Sequence, residues 1–392
     1  MSTLKYWVWL SRCAGLDSQL RLALLDRFGS PEEVYYADEG ALSLTAGMTR
    51  RALEPLTQKD LTDAEKILAD CERLGVQLLT LHDAEYPVRL RCIYDPPCLL
   101  YLRGRLPAVD ELPVIAVVGT RKASPYGLRC AEELAFGLAD SGAPVATGLA
   151  RGIDSAAAQA ALRAGGPVLG VLGGGIDVVY PKENGWLYDD VAAAGCLISE
   201  YPPGTEPLPG HFPLRNRIIS GLSAAVLVVE APLRSGALIT AGTALDQGRD
   251  VFAVPGPIYA ENSKGCNRLI RDGAGLAAEP WDILREYDFQ FPGRLRGGSR
   301  PAPEPLEDRP ARTPEPPKPA LPGLSAREAG LTDDQIALLR ALTDQPVSVD
   351  DLIDQTQLPA RRVLSALTML EIDQYVTQCS GKRYIRAVAL TD

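Results

Sequence analysis

The sequence predicts a doubly wound α/β domain, with a small helical module before it and a second small module after it. Three features carry that prediction. Six short apolar runs lie between residues 114 and 254, and four of them are followed by a glycine-containing loop and then by a helical pattern, which is how buried parallel strands and their crossover helices read. A Pro-rich stretch, RPAPEPLEDRPARTPEPPKPALPG, separates what precedes it from a short final segment. At 392 residues the chain also exceeds one typical domain.

Residues 1–80 read as helices. Leu20, Leu24, Leu25 and Phe28 recur at helical spacing, Gly29-Ser30-Pro31 interrupts them, and Pro31 suits the first turn of the next helix. A second break falls at Ala46-Gly47-Met48, and a longer helix over 61–74 ends at Gly75. The pattern LLDRFGSPEEV…LTAGMTRRAL resembles a SAM-like or helix-hairpin-helix bundle. Such hairpins can offer loop amides to a DNA phosphate, but the acidic first turns and few Arg and Lys here favour protein contact.

Residues 81–291 form the predicted sheet domain, its core starting near 113. Strands are expected at 114–118, 144–146, 168–172, 196–199, 224–229 and 251–254, and helices at 126–140, 154–164, 184–194 and 240–247, with right-handed crossovers. Residues 292–328 read as an extended, semi-rigid linker. In 329–392, three helices (332–342, 349–355, 359–370) precede a hairpin (374–377, 383–387), which is the winged-helix plan. That plan suggests duplex DNA, and Arg361 and Arg362 open the would-be recognition helix. Yet residues 331–392 hold six Lys/Arg against nine Asp/Glu, and a net −3 favours a protein-interaction or regulatory module.

Composition narrows the function. A formal charge of −10 and a pI near 5.0 exclude a binder that works by bulk positive charge, while leaving room for a local basic groove. Eight Cys without CxxC spacing and only two His argue against a zinc site and read as free thiols of an intracellular protein. The apolar run near the start is too short for a signal peptide, and no stretch approaches a membrane span. A soluble cytoplasmic protein, without membrane, metal or cofactor, is expected.

The chemistry gathers in glycine loops at the carboxyl ends of the predicted strands. These are Gly119-Thr120-Arg121-Lys122-Ala123-Ser124, Gly148-Leu149-Ala150-Arg151-Gly152, Gly173-Gly174-Gly175, and Leu233-Arg234-Ser235-Gly236 leading to Thr240. In a parallel sheet these loops share one edge, where ligands bind. Glycine lets backbone amides approach an anion, and Arg121 and Arg151 add charge-assisted hydrogen bonds to phosphate. Donors are many and bases few, which suits holding an anion over breaking a bond. The dinucleotide spacing GxGxxG and the P-loop GxxxxGK[ST] are both absent, and neither His lies in these loops. Asp154 follows Gly152-Ile153 at a helix start and reads as an N-cap.

A second cluster, His211-Phe212-Pro213-Leu214-Arg215-Asn216-Arg217, sits in a stretch that reads as irregular. Phe212 as a stacking platform with Arg215 and Arg217 on phosphates is the mixture single-stranded nucleic acid needs. Equally open is a core Phe212 with Arg217 paired internally to Glu200 or Glu230. A third cluster, around Lys264 and Asn267, follows the last strand on the same edge.

Taken together, VVGTRKASPYG, GLARGIDSAAAQAAL, GGGIDVVYPKEN, SEYPPGTEPLPGHFPLRNRIISGLS, VVEAPLRSGALITAGTALDQGRDVFAVPGP and GCNRLIRDGA resemble the DNA-processing protein A (DprA, or Smf) family, in collinear order across the central domain. The resemblance implies a Rossmann-like domain that dimerises, binds single-stranded DNA, performs no catalysis, and loads the RecA recombinase in natural transformation while helping to displace single-strand-binding protein. It places a phosphate pocket on Gly119, Thr120 and Arg121 and strand contacts on Arg215, Arg217, Phe212 and Lys264. Gln159 and Asn267 stand where relatives often have His. The alternative is a nucleotide phosphoribohydrolase-like enzyme on a related fold, but that family's PGGxGTxxE loop would require a Glu where RSGALITAGTALDQG has none.

Overall fold

Nine strands form one sheet: β1 (Gln77–Thr80), β2 (Leu99–Gly104), β3 (Ile115–Val118), β4 (Val145–Thr147), β5 (Val168–Leu172), β6 (Cys196–Ser199), β7 (Ala225–Val228), β8 (Asp250–Ala253) and β9 (Gly275–Leu276). They lie in the order β1-β2-β6-β5-β4-β3-β7-β8-β9. From β6 to β9 all neighbours are parallel, whereas β2 runs antiparallel to both β1 and β6. These positions come from a computed structural model, which describes residues 3–297, 323–325, 330–343, 347–379 and 383–391.

The chain steps outward from β3 through β4, β5 and β6, then returns to place β7 on the other side of β3, with Ile115 opposite both Val145 and Ala225. Strand order therefore reverses between β3 and β7. In open α/β sheets such a switch point leaves a crevice at the carboxyl ends, because the flanking connections leave in opposite directions. Every residue of β3, β5, β6 and β7 is buried, which requires cover on both faces.

Six helices, Leu4–Arg12, Ser18–Phe28, Pro31–Tyr36, Glu39–Ser43, Arg50–Thr57 and Thr62–Leu74 (α1–α6), precede the sheet. Pro31 opens α3 behind the Ser30 cap, and Gly75 ends α6 in the left-handed conformation at φ 65°. One continuous apolar cluster runs from Trp7 and Leu24 through the strands to Phe291, so this helical segment and the sheet share a core. Its last four residues already belong to the sheet as β1. The antiparallel pair β1–β2 was not legible, because LLYL at 99–102 is a brief apolar run without glycine punctuation and its partner is itself only four residues long.

The remaining helices of this unit are α7 (Val88–Arg91), α8 (Pro125–Asp140), α9 (Ile153–Arg163), α10 (Gly185–Ala194), α11 (His211–Leu222), α12 (Gly236–Asp246), α13 (Lys264–Arg271) and α14 (Trp281–Leu284). The stretch expected to be irregular around Phe212 is thus the start of α11. Pro213 sits in its first turn, where a missing N–H costs nothing. Helix α12 starts four residues earlier than expected, because the Ser235 hydroxyl accepts from the Leu238 amide and caps it.

The second unit carries α15 (Asp333–Ala341), α16 (Val349–Thr356) and α17 (Ala360–Ile372). Its strands are β10 (Gly323–Ser325), β11 (Val347–Ser348), β12 (Val376–Cys379), β13 (Arg383–Arg386) and β14 (Ala389–Thr391). Strands β12 and β13 pair antiparallel, β11 joins β13, and Leu338, Leu352, Val363, Leu367 and Leu370 fill the core. This is the expected winged helix. Most of the Pro-rich linker expected over 292–328, and the hairpin tip at 380–382, lie outside the described residues. No described helix is long and apolar enough to cross a membrane.

Candidate nucleic-acid interface

A cleft of about 510 Å³ opens at the β3/β7 switch point. Gly119, Thr120 and Arg121 line it from the loop after β3, Ala150 and Asp154 from the β4–α9 turn, Arg234, Ser235, Gly236 and Thr240 from the start of α12, and Phe212, Arg215 and Asn216 from α11. Four of the expected segments therefore converge, and they bring one end of α12 with them.

The two loops flanking the switch point are tied together by one buried carboxylate. Glu230, just beyond β7, accepts from the Ser124 amide (2.8 Å) and the Ser124 hydroxyl (2.6 Å), and its own carbonyl accepts from the Thr120 amide (2.7 Å). Ser124 in turn caps α8 by accepting from the Gly127 amide at 3.1 Å. Glycine is required where these loops touch their neighbours. A Cβ on Gly119 would lie 2.5 Å from Ile153, and one on Gly152, which has φ 78°, would lie 2.5 Å from the Thr120 carbonyl oxygen.

Below the rim, Arg215 is only 4% exposed. Its Nη1 donates to the carbonyls of Gly148 (3.0 Å) and Val171, and its guanidinium packs where a Gly148 side chain would stand. The buried Asp154 lies close enough to partner it electrostatically, and burial pushes the Asp154 carboxyl up to about 6 despite the Arg215 charge and the amides of Ala150, Gly119 and Gly148. Asp154 makes no N-cap: Gly152 holds that position and Asp154 lies within the first turn of α9. Arg215 is thus a floor support, its planar fork spanning two strand ends.

Arg217 points elsewhere. Its Nε donates to Asp95 at 3.0 Å and its Nη2 to Glu200 at 2.8 Å, so the internal pairing with Glu200 is realised and a second carboxylate joins it. Of the two readings open for Arg217, the geometry realises the internal pairing: two carboxylates take its donors, and the cleft lining does not include it.

The rim is different in kind. Arg121 lies over the Phe212 ring at 5.1 Å, and the Tyr180 ring is tilted against the same ring with centroids 5.4 Å apart. Neither Arg121, Lys122 nor Arg234 has a carboxylate partner among the described residues. By contrast Arg151 is paired with Glu183, and Lys264 with Glu261 at 2.6 Å. Asn267 clamps the backbone of Gly256 from both sides, at 3.1 and 2.9 Å, which occupies it internally. Arg234 and Tyr180 were not singled out from sequence. The signal for Arg234 was its place just before the Ser235-Gly236 helix start, while Tyr180 depends on long-range packing against Phe212.

Residues 77–288 match the DNA recombination-mediator protein A family, and residues 312–382 match the DprA winged helix domain. The chain belongs to the DNA recombination-mediator protein A family. It is 34% identical to Protein Smf of Synechocystis over 409 residues, covering 97% of this chain and 98% of that one. Over 204 residues it is 47% identical to DNA processing protein DprA of Streptococcus pneumoniae, covering 52% of this chain and 72% of the relative. The X-ray structure of the Streptococcus pneumoniae protein aligns with a TM-score of 0.65 at 38% identity, covering 73% of this chain and 99% of that one. Family membership makes this a DNA-processing, recombination-mediator protein.

Proposed function

We propose that the protein is a cytoplasmic mediator that binds single-stranded DNA without sequence preference and loads RecA onto it during natural transformation, helping to displace single-strand-binding protein. On this reading it acts as a homodimer through the Rossmann-like domain and performs no catalysis. The observation that carries the reading is the cationic lining of the switch-point cleft: Arg121 and Arg234 have no carboxylate partner among the described residues and stand with glycine-loop residues. Lys122 follows Arg121 in the same exposed loop. Phosphates would sit against Gly119, Thr120, Arg121, Ser235 and Gly236, with Lys122 and Arg234 adding charge at the edge. Phe212, partly exposed beside Arg121 and Tyr180, is the ring on which a base would stack.

Gly148, Gly152, Ser124, Thr240, Arg215 and Asn216 shape this seat. The carboxyl lining the cleft, Asp154, is engaged with Arg215 and loop amides, which leaves an anion-holding site in preference to an acid–base pair. Fluorescence anisotropy of a dT oligomer and a matched duplex at two salt concentrations tests the proposal. Tight, salt-sensitive binding of the single strand that Arg121→Ala weakens is expected; equal binding of both DNAs, or none, would overturn it. RecA loading is then checked by RecA ATPase activity on strand pre-coated with single-strand-binding protein.

A further inference from the structure

Beyond β8 the chain makes a loop with two neighbouring exposed apolar side chains at its tip. Ile258 is 71% exposed and Tyr259 91% exposed, side by side. Large apolar surface so placed is costly unless something covers it. The loop around it is nevertheless fastened. Asn267 clamps Gly256, the Tyr126 hydroxyl donates to the Pro255 carbonyl at 2.6 Å, and the Asn262 side chain donates to the Lys122 carbonyl at 2.9 Å. The Ala231 amide donates to the Asn262 carbonyl at 2.7 Å, and the Gly265 amide to that of Ala231 at 2.9 Å. The loop is thus pinned to both loops that form the cleft rim.

Strand β8 is the next strand after β7, so this loop leaves the same carboxyl edge one strand further along. Lys122, which follows Arg121 in the loop after β3 and has no carboxylate partner among the described residues, is bonded through its backbone carbonyl to this very loop. An aromatic ring held on a fixed mount beside a phosphate-holding rim is the arrangement that receives an unstacked base.

We infer that Tyr259 is a second base-stacking platform, one that extends the single-strand path from the switch-point cleft across the end of β8. The occupant is single-stranded nucleic acid, because the neighbouring unpaired charge is positive and a base supplies a flat face to the ring. This rests on the proposed function, and concerns only the length of strand engaged.

The test is anisotropy of the full chain with dT oligomers of about 5 and about 20 nucleotides, spanning the range of strand lengths such sites take. Tyr259→Ala should lower the preference for the longer oligomer about five- to fiftyfold, and Tyr259→Phe should retain it. A 5-iodouracil-substituted long strand should crosslink to the peptide containing Tyr259. If Tyr259→Ala keeps the wild-type length preference while Arg121→Ala weakens both oligomers, the platform is refuted and the binding site stands. If the wild-type chain binds neither oligomer, the reading of the cleft itself fails.

Discussion

Two regions of this molecule set arginine beside a helix start on an exposed face, and they differ in what surrounds it. At the switch-point cleft, Arg121 rests on an aromatic ring, and neither it nor Arg234 at the start of α12 has a carboxylate partner among the described residues. In the winged helix, Arg362 near the start of α17 is held by Asp334 through two bonds of 2.8 and 2.6 Å. Further along, the same helix exposes Leu364 and Met369, each 49% accessible. At the cleft both arginines lack a carboxylate partner among the described residues; on α17 Arg362 is paired, Arg361 beside it is exposed with no such partner, and apolar surface follows. Having arginines at a helix start is therefore no guide to DNA contact. Whether a carboxylate already owns them is what separates Arg121 and Arg234 from Arg362.

The sharpest test of that contrast uses an arginine on the owned side of the sheet domain. Arg217→Ala leaves Asp95 and Glu200 without a counter-charge and should cost about 3 kcal/mol of stability, at the low end for a broken buried pair because both carboxylates keep partial access to water. Denaturant titration measures it, and the folded fraction should bind dT oligomers within about threefold of wild type. A large affinity loss at unchanged stability would return Arg217 to the strand-binding surface.

Arg121→Ala should show the opposite signature. Loss of one charge-assisted phosphate contact predicts a ten- to hundredfold weaker single-strand affinity, at ~1.5–3 kcal/mol, with the salt slope shallower by about 0.7 and stability nearly unchanged.

A smaller effect comes from pH. Asp154 has its pKa raised to about 6, so it takes up a proton as pH falls from 8 to 5. Arg215 then loses its neutralising partner, the cleft gains one positive charge, and anion binding should strengthen about three- to tenfold. Asp154→Asn should bind at pH 8 as wild type does at pH 5, with a flat profile between.

The smallest expected effect is on the other unit. Arg361→Ala should leave single-strand affinity within about twofold in the full chain. A larger drop would mean that the winged helix touches DNA after all.

Much of this was readable before any coordinates. Strands 168–172 and 196–199 match β5 and β6 residue for residue, because uninterrupted apolar runs ended by glycine or serine leave little freedom in placing a buried parallel strand. The convergence of three of the four glycine loops also followed, since parallel strands put all their carboxyl ends on one edge; Gly173-Gly174-Gly175 does not line the cleft. What escaped was decided by partners distant in sequence. Nothing local to Arg217 says that Asp95, 122 residues away, accepts its Nε, and nothing in HFPLRNR says that it winds into α11. Glu230 was visible as a carboxylate but not as the link between two loops, a role that exists only once β7 lies beside β3.

That link has a kinetic consequence. With Glu230 fastening the loop after β3 to the end of β7, the walls of the cleft are joined before any strand arrives, and no ordering of either wall is left to accompany capture. Association with a short oligomer should then rise linearly with concentration, showing no plateau that would report a preceding conformational step. Glu230→Gln, which keeps the shape but weakens the fastening, should make such a plateau appear.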